Sequence, residues 1–197
     1  MRKIYILTTY TGTTLSYLIK KITDTPYPHV SISIDEMLDE VYSFGRIHYS
    51  NPIFAGFVRE YIDEGLYKRK KDTMCRVYSI CVKDNQYKDI VNMLNYFLEN
   101  RKKFKYDSKA LVRFLYKEPK INENKFVCSQ FVAYILESAG VNLFNKGFNS
   151  ITPLDFYKLS DIQIEYEGLL SQYRNNYLMR KELNYIEIWI YKVNTER

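Results

Sequence analysis

A cysteine at the start of a predicted helix is the strongest chemical signal in the sequence. Cys128 lies in the segment NENKFVCSQFVAYILESAG at 122–140, where the apolar residues that follow it recur at helical spacing. Asn122 and Asn124 precede it as predicted helix caps. The unpaired N–H groups and the dipole of a helix N-terminus stabilise an anion, so this position favours the thiolate, which is the nucleophilic form of cysteine.

A second interpretation of Cys128 is purely structural, because cysteine is among the most buried residue types. That interpretation suits Cys75 and Cys81, which lie in a predicted strand. The three cysteines show no C-x-x-C spacing, which argues against a zinc site and against a disulfide framework. We therefore predict no metal and no cofactor.

A nucleophilic cysteine needs a base, and the sequence contains only two histidines. His48 lies among RIHYSN, which has the composition of a surface loop. His29 begins HVSISID at 29–35, whose strict alternation places Ser31 and Ser33 on the same strand face as the imidazole. Small hydroxyl side chains leave room for a helix to bring a thiol against the ring, so His29 is the predicted base.

A group that orients the imidazole should come from the facing strand, EVYSFG at 40–45. In the hairpin registers that a tight turn allows, Ser43 or Phe44 lies opposite His29, so Ser43 is the first choice. Tyr42 and Glu40 remain as alternatives. A hydroxyl orients an imidazole less strongly than a carboxylate does, so this choice predicts modest activation.

The elements around these residues predict an α+β fold with a largely antiparallel sheet, in a single domain over 1–197. Predicted strands lie at 3–10, 29–35, 40–45, 75–83, from 162 onward and at 184–193. Predicted helices lie at 11–23, 85–104 and 109–116 and from Cys128 to Gly140, with a short helical turn at 151–161. The segment 46–74 is predicted to be a loop-rich insertion, with breaks at Pro52, Gly56 and Gly65.

Composition and charge narrow the class of partner. The chain has 46% hydrophobic and 26% charged residues, which is typical of a folded domain. The net charge is +6, but the lysines are scattered and the basic runs YKRKKD and NRKKFKY fall in a loop and at a helix end. We therefore expect no nucleic acid, and leave weak association with a membrane surface open. The N-terminus lacks the apolar core of a signal peptide and the cysteines are unpaired, so a cytoplasmic location is expected.

The order of these motifs resembles the circularly permuted branch of the NlpC-type papain-like fold, which includes YiiX-like proteins and lecithin retinol acyltransferase. The segment TGTTLSYLIKKITDTPYPHVSISID resembles that branch's helix followed by a histidine strand. YSFGR, FVCSQFVAYILESAG and ITPLDF resemble segments of an uncharacterised bacterial subgroup within it. The resemblance covers roughly residues 4–160 and implies an antiparallel sheet packed against helices.

The resemblance also implies roles for individual residues. Cys128 would be the nucleophile, with its N–H group helping to bind an oxyanion, and His29 would act first as general base and then as acid. The YSF strand would supply the third polar position. Tyr10, within TYTGTT, is an expected oxyanion-side hydroxyl, although a core or surface tyrosine is the alternative. Ser31 and Ser129, beside the two catalytic residues, complete the expected substrate contacts.

These observations predict a cysteine peptidase, amidase or acyltransferase that forms a thioacyl intermediate on an amide or ester. The expected substrate is a small peptide or a lipid-like molecule. The alternative is an inactive papain-like protein that keeps a ligand groove, since a fold does not determine a function. A nucleic-acid-binding protein is the least favoured class.

Overall fold

The computed structural model describes residues 1–48, 51–109 and 124–195. Their strands form one sheet: β1 (Arg2–Tyr10), β2 (His29–Ser33), β3 (Val41–His48), β4 (Asn51–Glu60), β5 (Met74–Val82), β6 (Lys105–Tyr106), β7 (Lys125–Phe126) and β8 (Gln163–Leu169). The strand order is β7-β6-β4-β3-β2-β1-β5-β8. Every pairing is antiparallel except that between β6 and β7. The predicted α+β class and the largely antiparallel sheet are confirmed.

The helices of the described residues lie outside this sheet. They are α1 (Thr14–Thr23), α2 (Gly65–Arg69), α3 (Asp84–Glu99), α4 (Cys128–Ser138), α5 (Pro153–Tyr157) and α6 (Tyr173–Thr195), with short 3-10 turns at Arg101–Lys103, Phe148–Ser150 and Leu170–Gln172. Within the described parts of the chain, none of the helices is both long and apolar enough to cross a membrane.

The central strands are buried on both faces, because helices cover each side of the sheet. On one face, apolar residues of β1 to β5 pack against α3 and α4: Ile4, Ile6, Val30, Ile32, Phe44, Phe57, Tyr78, Ile90, Leu94, Phe97, Phe131 and Ile135. On the other face a second cluster includes Tyr5, Leu7, Val41, Val77, Tyr67, Leu170 and Tyr173. Successive side chains along each strand point alternately to these two clusters, because β-structure has a period of two residues.

Helix α4 is held against β3 by aromatic packing. The ring centroid of Phe131 lies 5.2 Å from that of Phe44 in β3. The helix ends at Ser138, two residues before the predicted end at Gly140. Gly140 follows the C-cap with a φ of 71°, a left-handed conformation that glycine adopts without steric cost, and the N–H of Val141 donates to the carbonyl of Leu136 at 2.8 Å. These contacts fix the position of α4 against the sheet, and with it the position of its first residue, Cys128.

Two predicted segments need correction, and a third lies mostly outside the described residues. The segment 184–193 belongs to α6, because a helix satisfies its backbone hydrogen bonds locally while an alternating apolar pattern makes a strand only beside a partner strand. The segment 46–74 is not loop-rich: it contains the end of β3 and all of β4 and α2. The predicted helix at 109–116 lies, apart from its first residue, outside the described residues.

Glycine and proline made the segment 46–74 look irregular, yet β4 accommodates both. Pro52 is near the first residue of the strand, where a missing N–H disrupts the ladder least. Gly56 is buried where space is short, since a Cβ atom on it would lie 3.4 Å from Cδ1 of Ile47 and 3.7 Å from the carbonyl oxygen of Phe104. These residues mark close packing within the sheet.

Candidate active site

His29, the first residue of β2, is bound to a carboxylate. Its Nε2 atom lies 3.0 Å from Oε1 and 3.3 Å from Oε2 of Glu60, the last residue of β4. The two side chains are 24% and 17% exposed, so the pair is largely shielded but reachable. The group that orients the imidazole is therefore Glu60 and not the predicted Ser43.

Glu60 reaches His29 across β3, because the β3 residues beneath its side chain are small. Val41 pairs with Glu60 across the β3–β4 ladder, and Ser43 and Gly45 follow Val41 on the same strand face. A Cβ atom on Gly45 would lie 3.2 Å from Oε1 of Glu60 and 3.4 Å from Cε1 of His29. Glycine at this position leaves the space in which the carboxylate and the imidazole meet.

The Cys128 thiol meets the same imidazole from α4. Cys128 is the first residue of the helix, is 7% exposed, and lies close enough to the His29 ring to contribute to the rise of its pKa. Its Sγ atom also lies 4.0 Å from the carbonyl oxygen of Pro28, the residue before His29. Because Nε2 faces Glu60, the ring nitrogen left for the thiol is Nδ1.

The cap of α4 differs from the predicted one. Val127 occupies the N-cap position, and its side chain makes no capping hydrogen bond. Asn124 lies three residues before the cap, and Asn122 lies outside the described residues. A valine at this position offers no side-chain acceptor to the first-turn N–H groups of α4.

The electrostatics of the site keep the imidazole protonated. Burial lowers the pKa of His29, but the negative charge of Glu60 and hydrogen bonds with Cys128 and Glu60 outweigh burial and raise it from 6.5 to about 10. Burial raises the pKa of Glu60, but the charge of His29, hydrogen bonds with His29 and Ser31, and the nearby Ser43 hydroxyl outweigh burial, so the pKa of Glu60 is lowered. An imidazolium–carboxylate pair at neutral pH follows, with the Cys128 side chain beside it.

Two further hydroxyl groups hold the carboxylate in place. The Ser31 hydroxyl donates to Oε2 of Glu60 at 3.0 Å, and the Tyr67 hydroxyl donates to the same oxygen at 3.4 Å. Burial raises the pKa of Tyr67 well above its ordinary value, so it stays a phenol, and its oxygen also lies 3.4 Å from Oγ1 of Thr9. Ser31, predicted to contact substrate, is fully buried and instead positions Glu60.

None of the residues predicted for the third polar position forms a hydrogen bond with the His29 ring. Tyr42 donates its hydroxyl to Glu40, and Glu40 pairs with Arg59. Ser43 is fully buried and its hydroxyl has no hydrogen bond of good geometry within the described chain, although it lies close enough to the Glu60 carboxylate to lower its pKa. Ser43 therefore sits beside the carboxylate and does not bind the imidazole.

The two remaining predicted substrate contacts are placed differently. Tyr10 stacks under the ammonium group of Lys20, whose Nζ lies 4.4 Å from the ring centroid, and is not among the residues that line the cavity. Ser129 lines the cavity, but its hydroxyl donates to the carbonyl of Ile151 at 2.8 Å and so fixes α4 to the loop before α5.

The thiol, the imidazole and the carboxylate lie in the wall of a cavity of about 580 Å³. Its lining is mainly apolar and includes Leu15, Ile19, Phe44, Ile47, Val58 and Leu66. Tyr106 also lines the cavity. Burial, with a smaller contribution from the nearby Cys128, raises the pKa of its phenol. This volume is in the range of small-molecule sites.

Sequence reasoning missed Glu60, Tyr67 and Tyr106. The available signal for Glu60 was a carboxylate at the end of a segment that could pair with YSFG, opposite small residues of β3. No protein-family model matches the chain, and no curated protein matches it in sequence. The chemistry of the site therefore has to be argued from its own geometry.

Proposed function

We propose that the protein is a cysteine hydrolase or acyltransferase that attacks an amide or ester through Cys128, with His29 as its acid–base partner. The observation that supports this proposal best is the convergence of Cys128, His29 and Glu60 on one cavity. Glu60 is a positioning residue, because it acts through the imidazole. The chain order of histidine, carboxylate and then cysteine is consistent with a permuted papain-like arrangement, which is part of the proposal.

In the first half of the reaction, the Cys128 thiolate attacks the substrate carbonyl carbon and forms a C–S bond. The carbonyl electron pair moves to oxygen. When the tetrahedral intermediate collapses, the bond to the leaving amine or alcohol breaks and His29 donates its proton to that group. A thioester on Cys128 and a neutral imidazole remain.

In the second half, the neutral His29 takes a proton from water, or from another acceptor hydroxyl or amine, as that nucleophile attacks the thioester carbonyl. Collapse of the second intermediate breaks the C–S bond and releases the acid or the transferred acyl product. The thiolate and the imidazolium are restored. Glu60 stays ionised throughout and stabilises the imidazolium in both halves.

The oxyanion of each intermediate needs hydrogen-bond donors near Cys128. First-turn N–H groups of a helix have no intrahelical partner, so the N–H group of Cys128 is one donor. The phenol of Tyr106 is the second donor in this proposal, in place of the expected Tyr10. Burial raises the Tyr106 pKa, which keeps the donor proton on the oxygen at neutral pH.

The test is trapping of the thioacyl enzyme. The protein is mixed with a panel of 4-nitrophenyl acyl esters and peptide 4-nitroanilides, and the acyl mass added to Cys128 is measured by intact mass spectrometry and peptide mapping. We expect a burst of nitrophenol with an adduct on Cys128 in the wild type, and neither in Cys128→Ala. Cys81→Ala is the matched control, because Cys81 is an exposed free cysteine outside the cavity.

The same experiment separates the enzyme from a binding protein. If Cys128 acylates no faster than Cys81 with every ester and anilide, the proposed reaction is wrong and the inactive papain-like alternative is favoured. If Cys128 acylates but His29→Ala leaves its rate unchanged, the nucleophile is correct and the base is not.

A further inference from the structure

Arg46 places a positive charge in the wall of the same cavity. It follows Gly45 in β3, is half-buried, and lines the cavity together with Cys128 and His29. Its Nη2 atom donates to Oγ1 of Thr13 at 2.7 Å. The mechanism above gives this guanidinium no role.

Arg46 has no counterion among the residues that the structure describes. Among residues 1–48, 51–109 and 124–195, no ion pair includes Arg46, and the hydroxyl of Thr13 is a neutral acceptor. The other arginine of the cavity lining, Arg59, is paired with Glu40 at the exposed rim. The nearby carboxylate of Glu60 is already bound by His29.

A half-buried guanidinium without a counterion is costly, and burial lowers the pKa of Arg46 accordingly. Such a group is compensated when a ligand brings an anion, and the planar guanidinium fork binds carboxylate and phosphate groups through two parallel hydrogen bonds. Thr13 occupies one of the five N–H donors of the side chain, which leaves others for a ligand.

The rest of the lining is suited to a different kind of group. Leu15, Ile19, Ile47, Val58 and Leu66 form an apolar surface that would bury an acyl chain or an apolar side chain. A molecule that fills the cavity would therefore join an apolar part to an anionic one, with its reactive carbonyl near Cys128.

We infer that Arg46 is the anion-recognition residue of this cavity, and that the substrate is an amide or ester with an apolar acyl part and a carboxylate or phosphate on its other part. This inference rests on the proposed function and specifies its substrate class. N-acyl amino acids and peptides with a free carboxylate have this chemistry, as do acyl phosphoesters.

The test compares a charged competitor with its neutral amide, and with an alkyl phosphate as a second anion. Cys128 is alkylated with iodoacetamide in the presence of octanoylglycine, octanoylglycine amide or octyl phosphate, and the rate is followed by peptide mass spectrometry with Cys81 as the internal reference. We expect octanoylglycine to protect Cys128 at a concentration at least about tenfold lower than its neutral amide, because the carboxylate adds charge-assisted hydrogen bonds. The comparison of octanoylglycine with octyl phosphate identifies which anion the site prefers.

Variants of Arg46 assign the preference to this side chain. Arg46→Met should abolish the ratio between the charged and neutral competitors, and Arg46→Lys should retain part of it by keeping the charge without the fork. The lysine variant keeps the test decisive if the methionine variant fails to fold. Arg59→Met is the matched control, because it removes an arginine from the rim that Glu40 already neutralises, and the ratio should stay as in the wild type.

The result that overturns the inference is equal protection by octanoylglycine and its amide in the wild type, or a charge preference that survives in Arg46→Met. Either result leaves the proposed function standing if Cys128 still alkylates rapidly in a manner that depends on His29. Slow alkylation of Cys128 without any competitor would instead count against the proposed function itself.

Discussion

Replacement of Glu60 by glutamine tests whether the carboxylate sets the protonation state of His29. Glutamine keeps the size and shape of the side chain and one carbonyl oxygen, but removes the negative charge. The charge of Glu60 is the largest of the effects that raise the His29 pKa, and burial acts in the opposite direction. In Glu60→Gln burial is no longer outweighed by that charge, so the pKa of His29 should fall.

The size of the effect follows from the shift. The rise of the His29 pKa from 6.5 to about 10 corresponds to roughly 5 kcal/mol of preference for the imidazolium, shared between Glu60 and Cys128. If the pKa returns to its ordinary value in the variant, only about one tenth of His29 is protonated at pH 7.5, against nearly all of it in the wild type. Alkylation of Cys128 through the thiolate–imidazolium pair should then slow about tenfold at that pH.

Two measurements check this. Long-range ¹H–¹⁵N spectra over a pH series give the pKa of each of the two histidines, and iodoacetamide labelling gives the pH profile of Cys128 with Cys81 as the reference. A displaced profile distinguishes a change in protonation from simple loosening of the site, which would lower the rate by the same factor at every pH. Glu64→Gln is the matched control, because it removes an exposed carboxylate from the cavity lining and leaves His29 untouched.

The reasoning would be refuted if the His29 pKa in Glu60→Gln stayed near that of the wild type. Such a result would mean that Cys128, and not Glu60, supplies the charge that holds the proton on the ring. A shift of the same size in Glu64→Gln would likewise show that any nearby carboxylate has this effect.

Three other predictions concern the same site. Gly45→Ala should reduce the labelling rate of Cys128 several-fold and lower the free energy of unfolding by about 1–3 kcal/mol, because the new Cβ atom would lie 3.2 Å from Oε1 of Glu60. Iodoacetamide labelling measures the rate and urea unfolding measures the stability; an unchanged labelling rate would contradict the close approach. At pH 8 in the folded protein Cys128 should be labelled and Cys75 should stay unlabelled, because burial raises the pKa of Cys75 to about 12. His29→Ala should slow the labelling of Cys128 and His48→Ala should not; the opposite order for the two histidines would identify a different base. The pKa of His29 is higher in the folded than in the unfolded state, and the pKa of Glu60 is lower, so the pair should stop stabilising the fold as pH rises from about 6.5 toward 10 and as pH falls below about 4.5. Urea unfolding across this range should show a lower free energy of unfolding on both sides, and a flat profile in the wild type would count against the pair.

Local patterns were sufficient to predict two members of the site. The alternation of HVSIS placed Val30 and Ile32 in the core and His29 on the opposite strand face, and the helical spacing after Cys128 located the first residue of α4. Both signals extend over fewer than twelve residues, so they depend on local backbone geometry, which sequence reports directly.

The third member depended on a long-range pairing that no local pattern encodes. Glu60 is brought to His29 by the β3–β4 ladder, and β4 carries a proline and a glycine that suggest a loop when the strand is considered alone. The error at 184–193 has the opposite cause, because an alternating pattern was assigned to a strand although that segment continues a helix that begins at Tyr173. In both cases the decisive information was which segment lies beside which.

The glycine at position 45 has a consequence for recognising relatives of this protein. In a relative that uses a glutamate at the end of the same strand, glycine opposite the histidine gives the two charged groups the most room, since a Cβ atom there would already lie 3.2 Å from the carboxylate and 3.4 Å from the imidazole. A chain with the histidine and cysteine motifs but a bulky residue there would have to take its acid from another strand or do without one. The pair of positions 45 and 60 therefore separates relatives that share this charge arrangement from those that share only its scaffold.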